Sequence, residues 1–200
     1  MTPLCELARK YETDKGGQHL RYGGGDSDTN HNYCPIYHHL FEDDRMDVKH
    51  VLEIGVHAGS SLRMWRDYFP NAMIVGLDTN QECLKHSEDR IKVIMADQNN
   101  PEQLRSAVVA HVALERFDLI VDDGSHVREH QIVSMTTLLP YLEDWGYYVI
   151  EDIGTMPQFP LELAAAVPPD YEFQAIYVEG GLGWKVQPGE WLMVIRRRPT

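Results

Sequence analysis

Residues 51–65 read VLEIGVHAGSSLRMW. A short apolar run meets Gly55, crosses a small-residue turn to Gly59, and continues through Ser60 and Ser61 into a segment with helical spacing. That is the pattern of a strand that turns directly into a helix. Glycine at the turn lets the backbone approach a ligand closely, and the helix N-terminus offers free N–H groups. A dinucleotide fingerprint, G-x-G-x-x-G, would need glycine where this chain has His57. The turn therefore suits a bulkier, less anionic ligand than a pyrophosphate.

Outward from this unit, apolar β-type runs alternate with helical patterns. The strand candidates are HVLEI (50–54), AMIVGLD (72–78), IKVIMA (91–96), FDLIVD (117–122), GYYVIED (146–152), FQAIYV (173–178) and EWLMVIR (190–196). The first five are near-continuous apolar runs, as expected for parallel strands covered on both faces. Asn100-Pro101-Glu102 is a helix start, and QECLKHSEDRI and REHQIVSMTTLLPYL carry helical spacing. Strands alternating with helices predict an α/β fold with a doubly wound, Rossmann-like, mostly parallel sheet. A Gly/Pro loop, EGGLGWKVQPG, joins the last two strands, which predicts an antiparallel hairpin at the C-terminal edge. Residues 1–49 lack this alternation and are expected to form a helical and loop lid region, with the Rossmann-like domain over 50–200. Within the lid, GGQHLRYGGGDSDTNHN is expected to be a long mobile loop between two short helices.

Two hundred residues suit one domain. The net charge of −13 argues against nucleic acid or an anionic membrane surface as the main partner. The basic RRRP at 196–199 is short and reads as a solvated tail. Three widely spaced cysteines without a CxxC fit a reducing compartment and favour neither a disulfide framework nor a zinc site. The N-terminus shows no apolar signal-peptide core, and no run approaches a membrane span. A cytoplasmic protein is expected.

Polar groups end each central strand. Asp78 stands 23 positions after Gly55, where an acid typically takes the ribose hydroxyls of an adenosine-type cofactor. Asp97 and Gln98 end the third strand, placed for an adenine edge. The fourth strand runs into VDDGSHVREH (121–130) and the fifth into Glu151 and Asp152. If these strands are neighbours, Asp123, Glu151 and Asp152 converge. Three carboxylates repel and hold protons unless a cation sits among them. All-oxygen ligands select a hard divalent ion, most simply Mg²⁺. Such an ion could lower the pKa of a substrate hydroxyl, with His126 placed to take the proton. His130, four residues on, is a second candidate for base or substrate contact. Asp122 is expected to cap or solvate the strand end, because adjacent strand residues point to opposite faces.

The series E-x-G-x-x-x-G, then D, then D-Q resembles the class I methyltransferases that bind S-adenosylmethionine. That resemblance places Glu53, Gly55, Gly59 and Ser61 round the methionine part of the cofactor, Asp78 at the ribose, and Asp97 with Gln98 at the adenosine. Asp123 lies where the cofactor and metal sites meet. The continuation D-D-G-S-H, then E-D, is similar to the Mg²⁺-dependent O-methyltransferases that act on sugars of glycosylated natural products, the macrolide sugar enzymes among them. KYETDKGG (10–17) and HNYCPIYHHLF (31–41) resemble that group's N-terminal elements. The resemblance implies Asp123, Glu151 and Asp152 as metal ligands, His126 as base, and Asp14, Lys15, His31, Tyr33 and Tyr37 in the lid or substrate region. It implies a saccharide or glycosylated small-molecule acceptor and a homo-oligomer, dimer or tetramer. Tyr33, Tyr37 and Phe41 equally suit the buried face of a short helix. Two departures from the resemblance are expected: no large extra N-terminal domain of the kind the macrolide sugar enzymes carry, and an insert, GQHLRYGGGDSDTN, that is long for the group. Two other readings stay open: a nicotinamide-dependent oxidoreductase, and a non-catalytic cofactor-binding component of the cephalosporin hydroxylase type.

Overall fold

The computed structural model describes residues 2–16, 31–112, 116–179 and 189–199. The glycine-rich stretch of the lid and nearly all of the loop before the last strand lie outside them. The helices are α1 (Pro3–Tyr11), α2 (Cys34–Phe41), α3 (Ser60–Tyr68), α4 (Pro101–Val112), α5 (Arg128–Leu138) and α6 (Gln158–Ala164). The strands are β1 (His50–Ile54), β2 (Met73–Asp78), β3 (Ile91–Met95), β4 (Phe117–Asp122), β5 (Leu142–Ile150), β6 (Tyr171–Val178) and β7 (Glu190–Arg197). They form one sheet in the order β3-β2-β1-β4-β5-β7-β6. Pairing is parallel from β3 through β5 and antiparallel at β5–β7 and β7–β6. The doubly wound sheet with its antiparallel edge is the architecture that the alternation predicts. Among the described residues no helix is long and apolar enough to cross a membrane.

Alternate residues of each strand feed opposite faces, so the continuous apolar runs serve two cores. Val51, Ile74, Leu119, Val121 and Val149 pack with α1, α2 and α3. Leu52, Val75, Leu77, Ile120 and Tyr148 pack with α4 and α5. The N-terminal helices thus belong to the first core: Leu4, Ala8, Tyr37 and Phe41 share it with Leu62, Trp65 and Tyr68 of α3. Asp67 of α3 fastens α1 across the surface, accepting from Lys10 Nζ at 2.7 Å and from the Tyr11 hydroxyl.

Two boundaries differ from expectation. QECLKHSEDRI forms only a 3₁₀ turn, Gln81–His86. The Asn80 side chain caps its start, and Ser87 Oγ accepts from Val93 N at 3.0 Å, which pulls the chain out of the helix and into β3. β5 starts at Leu142, four residues before the apolar run, because a shift of register between Phe117 and Leu119 lets the more polar LEDW segment pair with β4.

At the opposite end of the sheet from the acids of the fourth and fifth strands, buried Asp118 takes two main-chain donors. Its Oδ2 accepts from Lys49 N at 2.6 Å and His50 N at 2.9 Å, pinning the entry to β1. Asp118→Ala leaves two N–H groups without an acceptor. We expect it to cost about 1–3 kcal/mol in urea unfolding, with the far-UV spectrum preserved.

Candidate active site

The parallel strands run outward from β1 in both directions, so the order reverses between β1 and β4. Ligands of such sheets bind at that reversal, outside the carboxyl ends of the strands. A cavity of about 770 Å³ opens there. Gly55, Ser60, Ser61, Asp78 and His86 line one part of it, and Asp123, His126, Asp152, Asp14 and His31 line another. His57, His126 and Asp152 also line it, and all three have positive φ (45°, 56° and 52°). Non-glycine residues hold that conformation only where their surroundings impose it, and such residues cluster at functional sites.

The β1–α3 turn is set by contacts that require its sequence. Gly55 has φ 94°, and a Cβ there would run into the Asp123 carbonyl oxygen. Gly59 caps α3 in the left-handed region, with the His86 ring against it. Asp78 Oδ2 accepts from Val56 N at 2.9 Å and His57 N at 3.2 Å, while Oδ1 accepts from Asn80 N at 2.8 Å. Burial alone would raise its pKa, but these three N–H donors outweigh burial and hold the carboxyl below its ordinary range. Asp78 therefore meets the cavity as a carboxylate.

The acids of β1 and of the segments after β4 and β5 have a cation among them, supplied by the chain itself. Lys15 Nζ lies 2.5 Å from Asp123 Oδ2, 2.5 Å from Glu151 Oε2 and 3.2 Å from Glu53 Oε1. Burial pulls the ammonium's pKa down, but the three carboxylates prevail and hold it well above its usual value. Glu53 also accepts from Trp65 Nε1 at 3.1 Å, and Glu151 Oε1 from the Tyr37 hydroxyl at 2.6 Å. Burial, opposed by Lys15, pushes Glu53 up to about 7.

Glu151 faces inward, away from its neighbour Asp152. Asp152 Oδ1 accepts from the Tyr33 hydroxyl at 2.6 Å and lies 3.3 Å from His31 Nδ1; Oδ2 is 3.9 Å from His126 Nε2. Burial would raise Asp152, but His31, Tyr33 and His126 outweigh it and keep the carboxyl ionised below its ordinary range. Among the described residues two groups of side chains could hold a metal ion: Asp123, His126 and Asp152, and His31, Asp152 and Glu190, with ligand atoms in each within 4.8 Å of one another. The expected trio of Asp123, Glu151 and Asp152 is thus divided. Two of its members face the cavity beside His126, and Glu151 stands behind them on Lys15.

The third strand end departs from expectation. Asp97 is exposed and accepts from Asn99 N at 2.8 Å. Gln98 is buried and turned inward, its Nε2 donating to Asp122 Oδ1 at 2.6 Å. Among the described residues lining the cavity are neither Asp97 nor Gln98. Asp122, expected to cap or solvate the strand end, is fully buried. It points to the opposite face from its neighbours, as the pleat requires, but α5 covers that face. There it accepts from Ser134 Oγ and from the Tyr148 hydroxyl at 3.2 Å. Burial pushes it up to about 6. His130 Nδ1 is 2.9 Å from Ser125 Oγ and stands apart from the acids. Glu190, at the start of β7, is a member of the site that no spacing in the sequence suggests.

Residues 52–153 match a family model described as a methyltransferase domain, and the chain belongs to that methyltransferase family. Among its curated relatives is the 8-demethyl-8-(2-methoxy-alpha-L-rhamnosyl)-tetracenomycin-C 3'-O-methyltransferase of Streptomyces olivaceus, 36% identical over 76% of this chain and 37% of that protein. The mycinamicin VI 2''-O-methyltransferase of Micromonospora griseorubida is 36% identical over 76% of this chain and 36% of that protein. The methyltransferase of the mycinamycin biosynthetic pathway, solved in complex with Mg, SAH and mycinamycin VI, superposes with a TM-score of 0.65. It is 36% identical, covering 79% of this chain and 42% of that one. The chain spans little more than a third of the length of the curated relatives it matches, 36–37% for the two named.

Two outcomes follow from the acid cluster. Lys15→Met leaves Glu53 and Glu151 buried without their counter-charge, and we expect a loss of about 3–5 kcal/mol in denaturant unfolding. The pH dependence has a definite sign. Glu53 at about 7 and Asp122 at about 6 both stand above their unfolded values of 4.5 and 3.8, so the folded state binds more protons. Their contribution is fully present at lower pH and is lost as pH rises through about 6 to 7. Between about pH 5 and pH 8 the urea midpoint should change less favourably in the parent than in Glu53→Gln, and the same change in both proteins would contradict the Glu53 assignment.

Proposed function

We propose that the chain transfers the methyl group of S-adenosylmethionine to a hydroxyl of a saccharide or glycosylated metabolite, with Mg²⁺ at the acidic end of the cavity. One observation carries the reading. A turn built for close ligand approach, with an ionised carboxylate at Asp78, shares a cavity with an acid–histidine group at Asp123, His126 and Asp152. The relatives' names, which specify O-methyl transfer to a rhamnosyl-tetracenomycin C and to mycinamicin VI, support the acceptor class.

The residues present fit both groups. Gly55, the N-terminal amides of α3, Ser60, Ser61 and Asp78 would hold the cofactor, Asp78 through ribose hydroxyls. Asp123 and Asp152 are partly exposed carboxylates facing the cavity, with ligand atoms close enough to share one hard cation. Glu151 supports them from behind through Lys15 and Tyr37. When bound there, a divalent ion supplies Lewis acidity that eases deprotonation of a ligated hydroxyl.

The rest is the work of side chains. His126 stands at the cavity with an exposed ring and takes the hydroxyl proton. Asp152, kept ionised, stabilises the imidazolium that results. With the cofactor bound, the deprotonated oxygen would take the methyl group as the carbon–sulfur bond breaks and S-adenosylhomocysteine leaves, and the fixed β1–α3 turn would hold the donor in place for that transfer. Around the acceptor end stand Thr13, Asp14, His31 and His126. These are hydrogen-bonding groups suited to a polyol.

Calorimetry should show binding of S-adenosylmethionine and none of NAD. Labelled methyl transfer to a panel of glycosides should be lost with EDTA and restored by Mg²⁺. His126→Ala should lower kcat at least ~100-fold while cofactor affinity stays within about threefold. Turnover indifferent to EDTA would remove the metal from the mechanism.

A further inference from the structure

The turn that carries His126 is clamped by residues outside the cavity. Gly124 to Val127 link the end of β4 to the start of α5. The Ser125 N–H donates to Gln98 Oε1 at 2.9 Å. On the same carboxamide, Nε2 donates to Asp122 Oδ1 at 2.6 Å and to Ser134 Oγ at 3.3 Å. A Cβ on Gly124 would run into Gln98 Oε1, so only glycine lets the carboxamide press against the turn. On the other side, Ser125 Oγ accepts from Val127 N at 3.4 Å and pairs with His130 Nδ1 at 2.9 Å. Between these contacts His126 is held at φ 56°.

We propose that Gln98 and Asp122 form a bracket that positions His126 for the acceptor hydroxyl, with His130 as its outer anchor. The argument is one of donors and acceptors. Asp122 accepts from Ser134 Oγ and the Tyr148 hydroxyl as well as from Gln98 Nε2, and this acceptor pair of oxygens turns the Gln98 NH₂ group inward. The carboxamide oxygen must then face outward, where the Ser125 N–H finds it. Asp122 thereby sets the orientation of a main-chain amide it does not touch. Tyr148 and Ser134 in turn hold Asp122 in place. Gln98 and Asp122 are therefore positioning residues, and His130 is committed to the turn and not to proton transfer.

The inference rests on the methyltransferase reading for the role of His126, but the bracket can be tested apart from it. The measurement is amide hydrogen exchange at Ser125, followed by NMR on the full chain with and without S-adenosylmethionine. Gln98→Leu removes the acceptor, and Gln98→Glu sets two acids face to face. Each should speed Ser125 exchange at least ~10-fold while the amides of β1 and β2 keep their protection. The double variant Gln98→Glu/Asp122→Asn reverses the amide–acid pair and keeps both bonds, and should return Ser125 to within about threefold of the parent. On an acceptor found in the glycoside panel, kcat should fall at least ~10-fold in the single variants and recover in the double, with KM for the cofactor within about threefold throughout. Unchanged Ser125 exchange in Gln98→Glu, or a double variant as impaired as the singles, would overturn the bracket. Should Gln98→Leu fail to fold, the Gln98→Glu pair decides. A parent that binds no S-adenosylmethionine would instead sink the methyltransferase reading while leaving the exchange result to judge the bracket.

Discussion

The structure turns on one buried ammonium. Lys15 sits among Glu53, Asp123 and Glu151, acids contributed by β1 and by the segments following β4 and β5. Three carboxylates at neighbouring strand ends would repel one another strongly in a water-poor setting. With the ammonium in place they become a fixed frame. Glu151 is turned inward, Asp123 keeps one edge toward the cavity, and Asp152 is left to His31, Tyr33 and His126. The division between structural acids and cavity-facing acids follows from where that one positive charge sits.

Around this frame the site has two layers. The inner layer comprises Lys15, Tyr37, Trp65 and the acids they satisfy. The outer layer comprises residues that line the cavity, Asp78, Asp123, His126 and Asp152 among them. The turns between β1 and α3 and between β4 and α5 join the layers. They touch each other where Gly55 meets the Asp123 backbone. A displacement in one turn is therefore felt in the other, which couples the cofactor end of the cavity to the acid end through direct backbone contact.

Much of this could be read from the sequence, and the misses have physical causes. The first four strands are continuous apolar runs, and their boundaries fall within a residue or so of expectation. β5 begins in LEDW, whose exposed polar side chains hide a strand that only the register with β4 reveals. The acids after β4 and β5 were visible because charges following apolar runs are conspicuous. Their counter-ion was not, since Lys15 reaches Glu151 across 136 positions and no periodicity links them. Gln98 and Asp122 misled for a related reason. The pleat correctly sends Asp122 to the face opposite its neighbours, but whether that face meets water or Ser134 depends on how α5 packs.

The placement of Lys15 bears on where this protein can be cut. The recognisable methyltransferase segment begins at residue 52, close to the start of β1. A fragment trimmed to that boundary would keep the sheet apart from His50 and Val51 of β1. It would also keep Glu53, Asp123 and Glu151, and would lose Lys15, Tyr33 and Tyr37 together. The segment matched by the family and the segment that carries the acids' counter-charge are thus different lengths of chain. Lys15, Tyr33 and Tyr37 are an integral piece of the domain's electrostatics, and a boundary drawn by family resemblance alone would sever it.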